Sequence, residues 1–104
     1  MTWKPATKEL VELILQKERQ GNTAENLALI EQYSVDSHLA VLERFGADEN
    51  AFVVARSSTH VVYFDDIEED FGTAREVGGR LVDCAMYGPL TLAVRVLHYE
   101  LPHT

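Results

Sequence analysis

A chain of 104 residues, 46% hydrophobic and 25% charged, can bury a core without disulfides or a structural metal, and its composition is not that of a disordered protein. The formal net charge of −8 is uneven: residues 1–47 hold five Lys/Arg against seven Asp/Glu, residues 48–104 four against ten. Such a surface repels polyanions, which argues against nucleic-acid binding and against attachment to an anionic membrane.

From Thr7 to Gln20, Leu10, Val11, Leu13, Ile14 and Leu15 form a broad apolar stripe at helical spacing, and Gly21 stands where a C-cap belongs. Asn22 and Glu25 have capping-box spacing ahead of a short second helix carrying Leu27, Leu29, Ile30 and Tyr33. A third helical piece is expected from Asp36 or Ser37, through Leu39, Val41 and Leu42, to Gly46. Beyond the polar turn Ala47-Asp48-Glu49-Asn50 the period changes to two, which predicts strands at Ala51–Arg56 and Thr59–Phe64, joined at Ser57-Ser58 as an antiparallel hairpin. Strands at Phe71–Glu76 and Arg80–Met86 follow, with Gly78-Gly79 supplying the turn between them. On the last strand Asp83 is expected to face water and Val82, Cys84 and Met86 the core. Gly88-Pro89 opens a final helix with Leu90, Val94, Leu97 and Leu101 on one face and Leu92, Val96 and Tyr99 on a second. The fold class is therefore α+β: N-terminal helices, a four-stranded antiparallel meander, and a C-terminal helix packed on one sheet face, as a single domain over residues 1–104.

Cys84 is the only cysteine, which excludes an intramolecular disulfide and suits a reducing compartment. The opening Met1-Thr2-Trp3-Lys4-Pro5 lacks a signal peptide's apolar run, and no stretch approaches the roughly 20 apolar residues of a bilayer span. A cytoplasmic protein is expected.

The residue types that carry chemistry form no strong constellation. As a nucleophile, Cys84 would need exposure and a base such as His60 or His98, whereas its alternation buries it. His38 in the third helix, His60, His98 and His103 lack metal-ligand spacing. Gly78-Gly79 has no phosphate-binding fingerprint. Arg75 and Arg80 could pair across strands with Glu76 or Asp83. No cofactor and no catalytic residue is implied.

The densest feature is the acidic run Asp65-Asp66-Ile67-Glu68-Glu69-Asp70, five acids in six residues. Read as a calcium loop from Asp66, it places Phe71 where Gly belongs and Val77 where a bidentate Glu belongs; from Asp65, Ile67 and Asp70 fall at ligand and Gly positions. Neither register fits, so no metal ligand is assigned. Five carboxylates cannot all find partners in a chain with nine Lys/Arg, which leaves some to steer a basic partner. Asp65, Asp66, Glu68, Glu69 and Asp70 are the candidate partner-binding residues, with Tyr63 and Phe71, beside Phe64, as aromatic anchors. The plain alternative is that the acids solvate a turn and protect a sheet edge.

Val-Tyr-Phe-Asp-Asp leading into Glu-Glu-Asp-Phe-Gly, then Gly-Arg-Leu and a closing Gly-Pro-Leu helix, resembles the compact acidic proteins of bacterial mobile gene cassettes and toxin–immunity pairs, over residues 52–98. The resemblance implies a cytoplasmic binding protein that blocks a basic toxin, often a nuclease. The leading expectation is a non-enzymatic acidic binding module. The rival is a small enzyme or ligand-binding domain with a pocket between sheet and helices, and Asp83 or Glu76 as acid–base group. A homo-oligomer through the apolar surplus of the first helix is compatible with either.

Overall fold

The structure, a computed structural model, describes residues 7–44 and 46–101, with Arg44 as backbone only. Its elements are α1 (Lys8–Arg19), α2 (Ala24–Tyr33), β1 (Ser34–Arg44), β2 (Ala47–Arg56), β3 (Val61–Asp65), β4 (Asp70–Val77), β5 (Arg80–Gly88) and α3 (Leu90–Tyr99). The opening pentapeptide and His103 lie outside the described residues.

Helix α1 starts where Thr7 Oγ1 accepts the Leu10 N–H at 3.2 Å, satisfying one orphan donor, and Gly21 ends the segment at φ 75°. Its stripe is wider than the core needs: Val11 and Leu15 are buried, while Leu10 and Leu13 are 47% and 59% exposed. Helix α2 is capped by Thr23, whose hydroxyl accepts from Asn26 N–H at 3.2 Å. Asn22, expected as that cap, instead donates to the Glu18 carbonyl and accepts from Thr91 Oγ1 at 3.0 Å, tying the end of α1 to α3. At α3, Pro89 occupies the cap position and cannot cap with its side chain; Glu18 Oε1 from α1 accepts the Leu90 N–H at 3.2 Å in its place. Leu90, Ala93, Val94, Val96 and Leu97 are buried, but Leu92 and Tyr99 are exposed, so the second apolar face of α3 is only partly used.

The sheet departs from the expected four-stranded meander. Five strands close into a barrel in the order β1-β2-β3-β4-β5, with β5 returning parallel to β1 through Val41↔Arg80 and Leu42↔Leu81. The extra strand is Ser34–Arg44, expected to be helical from Asp36. Leu39 and Leu42 match a helical step, but Ala40 and Leu42 fall on one strand face and enter the barrel core. Gly46, at φ 78°, turns the chain into β2, with Arg44 opposite Ala47, so the polar segment 47–50 extends a strand. The hairpin of β2 with β3 is antiparallel, as expected, and the turn preceding Val61 is held by Ser57 N–H donating to the His60 carbonyl at 2.8 Å.

Two cores result. Ala40, Leu42, Ala51, Val53, Val61, Tyr63, Ala74 and Leu81 fill the barrel, whose small strand number leaves room mainly for small side chains. Outside it, Phe52, Val54, Val62, Phe64 and Phe71 pack against Val11, Leu15, Leu29, Ile30, Leu90, Val94 and Leu97 of the helices. Strand β3 is thus buried on both faces, consistent with its unbroken apolar run.

The face assignment on β5 is corrected. Thr73 pairs with Ala85 and Arg75 with Val82, so Asp83 and Cys84 together oppose Ala74 in a β-bulge, with Asp83 at φ 54°. The extra residue breaks the alternation: Leu81 points into the barrel, while Cys84 is exposed and Met86 is 39% exposed. Cys84 is therefore not the buried core thiol its spacing predicts.

Candidate functional site: the acidic turn and its neighbouring cleft

The acidic run forms the turn between β3 and β4, and its first member behaves differently from the rest. Asp65 is 2% exposed, and its Oδ1 accepts the N–H groups of Ile67 at 3.0 Å and Glu68 at 3.3 Å. An aspartate that folds back on its own backbone in this way fixes the turn geometry. Asp65 and Asp70 form the last register pair of the hairpin, and Glu69 takes the left-handed conformation at φ 57°. Ile67, Glu68 and Glu69 are exposed, Asp66 and Asp70 half-buried.

Asp65, Tyr63 and Phe71, expected as contact residues, are almost wholly buried, and only Asp65 and Tyr63 reach the cleft beside the turn. Tyr63 is 2% and Phe71 1% exposed; Tyr63 points into the barrel, and Phe71 packs on Phe64 with ring centroids 5.2 Å apart. Apolar surface near the turn comes instead from Ile67 and Met86, 43% and 39% exposed.

Five of the described cations are paired with carboxylates outside the turn. Lys8 pairs with Asp36 at 3.1 Å, Arg19 with Glu31 at 3.5 Å, Arg75 with Asp83 at 2.8 Å, and Arg80 with Asp48 at 2.8 Å and Glu43 at 3.7 Å. The hydrogen bond from Arg80 holds the exposed Asp48 carboxyl below its ordinary range, and Asp48 in turn raises the Arg80 guanidinium. Arg95 bonds Asn26 and lies 5.3 Å over the Tyr99 ring. Among the described side chains, Glu68, Glu69 and Asp70 form no ion pair.

Beside the turn, between β5 and the end of β1 past their two paired residues, opens a cleft of 420 Å³. Its walls are Leu42, Glu43, Tyr63, Asp65, Glu68, Cys84 and Met86, a mixture of carboxylates and apolar surface. Glu68 belongs to both turn and cleft, which makes them one continuous acidic face.

Near the opposite end of the barrel, Glu76, 13% exposed at its side chain, accepts from Arg56 and lies 3.3 Å from His38 Nε2. Burial pushes its carboxyl up, but the hydrogen bonds and charges of Arg56 and His38 outweigh it and hold the group below its usual value. His38 stands on β1 rather than on a helix. Glu76 and Asp83, considered above as acid–base groups, are each engaged by arginine, and neither lines the cleft. The Arg75–Asp83 pair is the cross-strand contact expected from the sequence; Arg80 reaches β2 instead. His60 Nδ1 lies 2.8 Å from Thr59 Oγ1, and His98 Nδ1 2.5 Å from the Tyr33 hydroxyl. Among the described residues no three His, Cys, Asp or Glu side chains converge as a metal site, and no helix is long and apolar enough to cross a membrane.

The sequence could have signalled the inward aromatics: Val61-Val62-Tyr63-Phe64 is continuous rather than alternating, the pattern of a strand covered on both faces. The cleft had no such signal, because it depends on closure of the barrel by β1. No family model matches this chain, nor does any curated protein or solved structure.

Proposed function

We propose that this protein is a non-enzymatic binding module whose acidic turn and adjoining cleft engage a basic protein partner. The supporting observation is charge placement: five of the cationic side chains are paired with carboxylates elsewhere, while Glu68, Glu69 and Asp70 remain unpaired among the described residues on a turn braced by Asp65. A rigid, one-signed patch speeds encounter with a cationic surface and fixes its orientation. Ile67 and Met86 supply the apolar contact, and the 420 Å³ cleft adds the carboxylates of Glu43, Asp65 and Glu68 to the face offered to a lysine or arginine side chain. The resemblance to immunity-type proteins makes a basic cytoplasmic toxin the partner class, inhibited by occlusion.

The test is a residue-resolved NMR titration of the full chain with a hexalysine peptide. Saturable shifts concentrated at residues 66–70 and at Met86 support the proposal. Shifts spread evenly over Glu9, Asp36, Asp48 and the turn reduce the turn to one acidic segment among several and contradict it.

A further inference from the structure

We infer that the exposed face of α1 is a self-association surface, on which two copies of this chain pair antiparallel about a two-fold axis near Leu13. Val11 and Leu15 turn the other face of the helix into the core, yet Leu10 and Leu13 stand 47% and 59% exposed. With Ile14, Gln16, Lys17 and Gln20 they border a hollow of 350 Å³. Leu10, Leu13 and Lys17 follow one another at i, i+3 and i+7, the spacing of a helix seam. The inference is independent of the acidic turn.

Charge selects the occupant. Helix α1 holds Lys8, Lys17 and Arg19 against Glu9, Glu12 and Glu18, so it is formally neutral in a chain of net charge −8. A basic partner gains nothing on a neutral helix, whereas a second copy can approach here without the repulsion it meets beside the acidic turn at Ile67 and Met86. Lys17 is moreover the only cation among the described side chains that touches no carboxylate, amide or ring. Lys8, Arg19, Arg56, Arg75 and Arg80 are ion-paired, and Arg95 bonds Asn26 and covers Tyr99. Glu9 likewise has no partner among the described residues.

These two unpartnered charges lie at opposite ends of the exposed face, Glu9 one turn before Leu13 and Lys17 one turn after it. Antiparallel pairing about Leu13 therefore sets Glu9 of each copy beside Lys17 of the other, twice by symmetry, and packs the Leu10 and Leu13 side chains of the two copies together. A parallel pair would set Glu9 near Glu9 and Lys17 near Lys17, like against like. The helix has 12 residues, about 18 Å of length, so the contact stays below the roughly 1,200 Å² of a stable interface. The dimer is accordingly weak, with a Kd on the order of 100 μM.

The test is sedimentation velocity of the full chain from about 10 μM to about 1 mM, with ¹⁵N amide shifts followed over the same range. The unmodified chain is expected to pass from monomer towards dimer, with concentration-dependent shifts centred on α1. Leu13→Glu, at an exposed position, should leave the melting temperature within about 3 °C and weaken association more than about tenfold. Glu9→Lys and Lys17→Glu should each weaken self-association about three- to tenfold, because each puts like charges at both symmetric contacts. An equimolar mixture of those two variants opposes unlike charges at both contacts and should recover the unmodified affinity. The inference is overturned by a chain still monomeric at about 1 mM, by shifts centred outside α1, or by undiminished association of Leu13→Glu. A mixture that associates no more tightly than either variant alone would overturn it as well.

Discussion

Tyr63 lies across the strand pair from Gly72, its ring covering the one interior position of β4 that has no side chain. A Cβ placed at Gly72 would stand 3.0 Å from Tyr63 Cζ and Oη, and 2.4 Å from the Ala85 carbonyl oxygen. The ring could rotate away; the backbone oxygen could not without moving β5. The barrel interior is thus sized by this pair, with alanines at 40, 51 and 74 filling the space around it. Gly72→Ala should cost about 2–3 kcal/mol in denaturant unfolding, the range of overpacked cores. A cost below about 0.5 kcal/mol would show that β5 yields freely.

The Asp65 brace makes a contrast within one turn. Asp65→Ala removes the acceptor for two backbone N–H groups and should destabilise by about 1–2 kcal/mol. Glu68→Gln and Glu69→Gln remove exposed, unpaired charge and should be neutral or slightly stabilising. Thermal melts of the three variants check this directly; equal losses would mean that Asp65 is no more structural than its neighbours.

Glu76 gives a pH signature. Its carboxyl is held below the ordinary 4.5, so the native state binds that proton more weakly than the unfolded chain does. The resulting stability is present in full above about pH 4.5 and disappears as pH falls through the lowered value. Glu76→Gln should therefore cost on the order of 1 kcal/mol at pH 7 and progressively less as the pH is lowered below about 4.5, as read by urea unfolding across that range. A cost independent of pH would place the loss in packing rather than in charge.

Cys84, displaced outward by the bulge at Asp83, should react with a thiol reagent in the native protein at a rate comparable to that of the unfolded chain. Protection by orders of magnitude would restore the inward assignment.

The legible parts of the fold are those decided locally. Thr7, Gly21, the Gly78-Gly79 turn and Pro89 mark element ends, and the 51–64 hairpin follows from period-two spacing and a short turn. Segment 34–44 was not legible, because its apolar residues satisfy a helical step and a strand face alike; pairing with β2 and β5, remote from any local propensity, decides for the strand. Cys84 was misread because a bulge inverts the parity of a strand and leaves little trace in the sequence except Asp83, a residue type tolerant of positive φ. At the candidate site the charges were legible and the anchors were not: barrel closure draws Tyr63 inward, while the helices cover Phe64 and Phe71.

The central claim, that the acidic turn rather than overall negative charge recruits a basic partner, is tested most directly by two charge-matched triple variants. One neutralises Asp66, Glu68 and Asp70 to Asn or Gln; the other neutralises Glu9, Glu12 and Glu100, so both alter the net charge equally. Stopped-flow association with a fluorescent hexalysine peptide is measured at low and at physiological salt. The account expects the turn variant to associate about tenfold more slowly at low salt, with a flattened salt dependence, and the control variant to stay within about twofold of the unmodified protein. Equal slowing in both variants would contradict it.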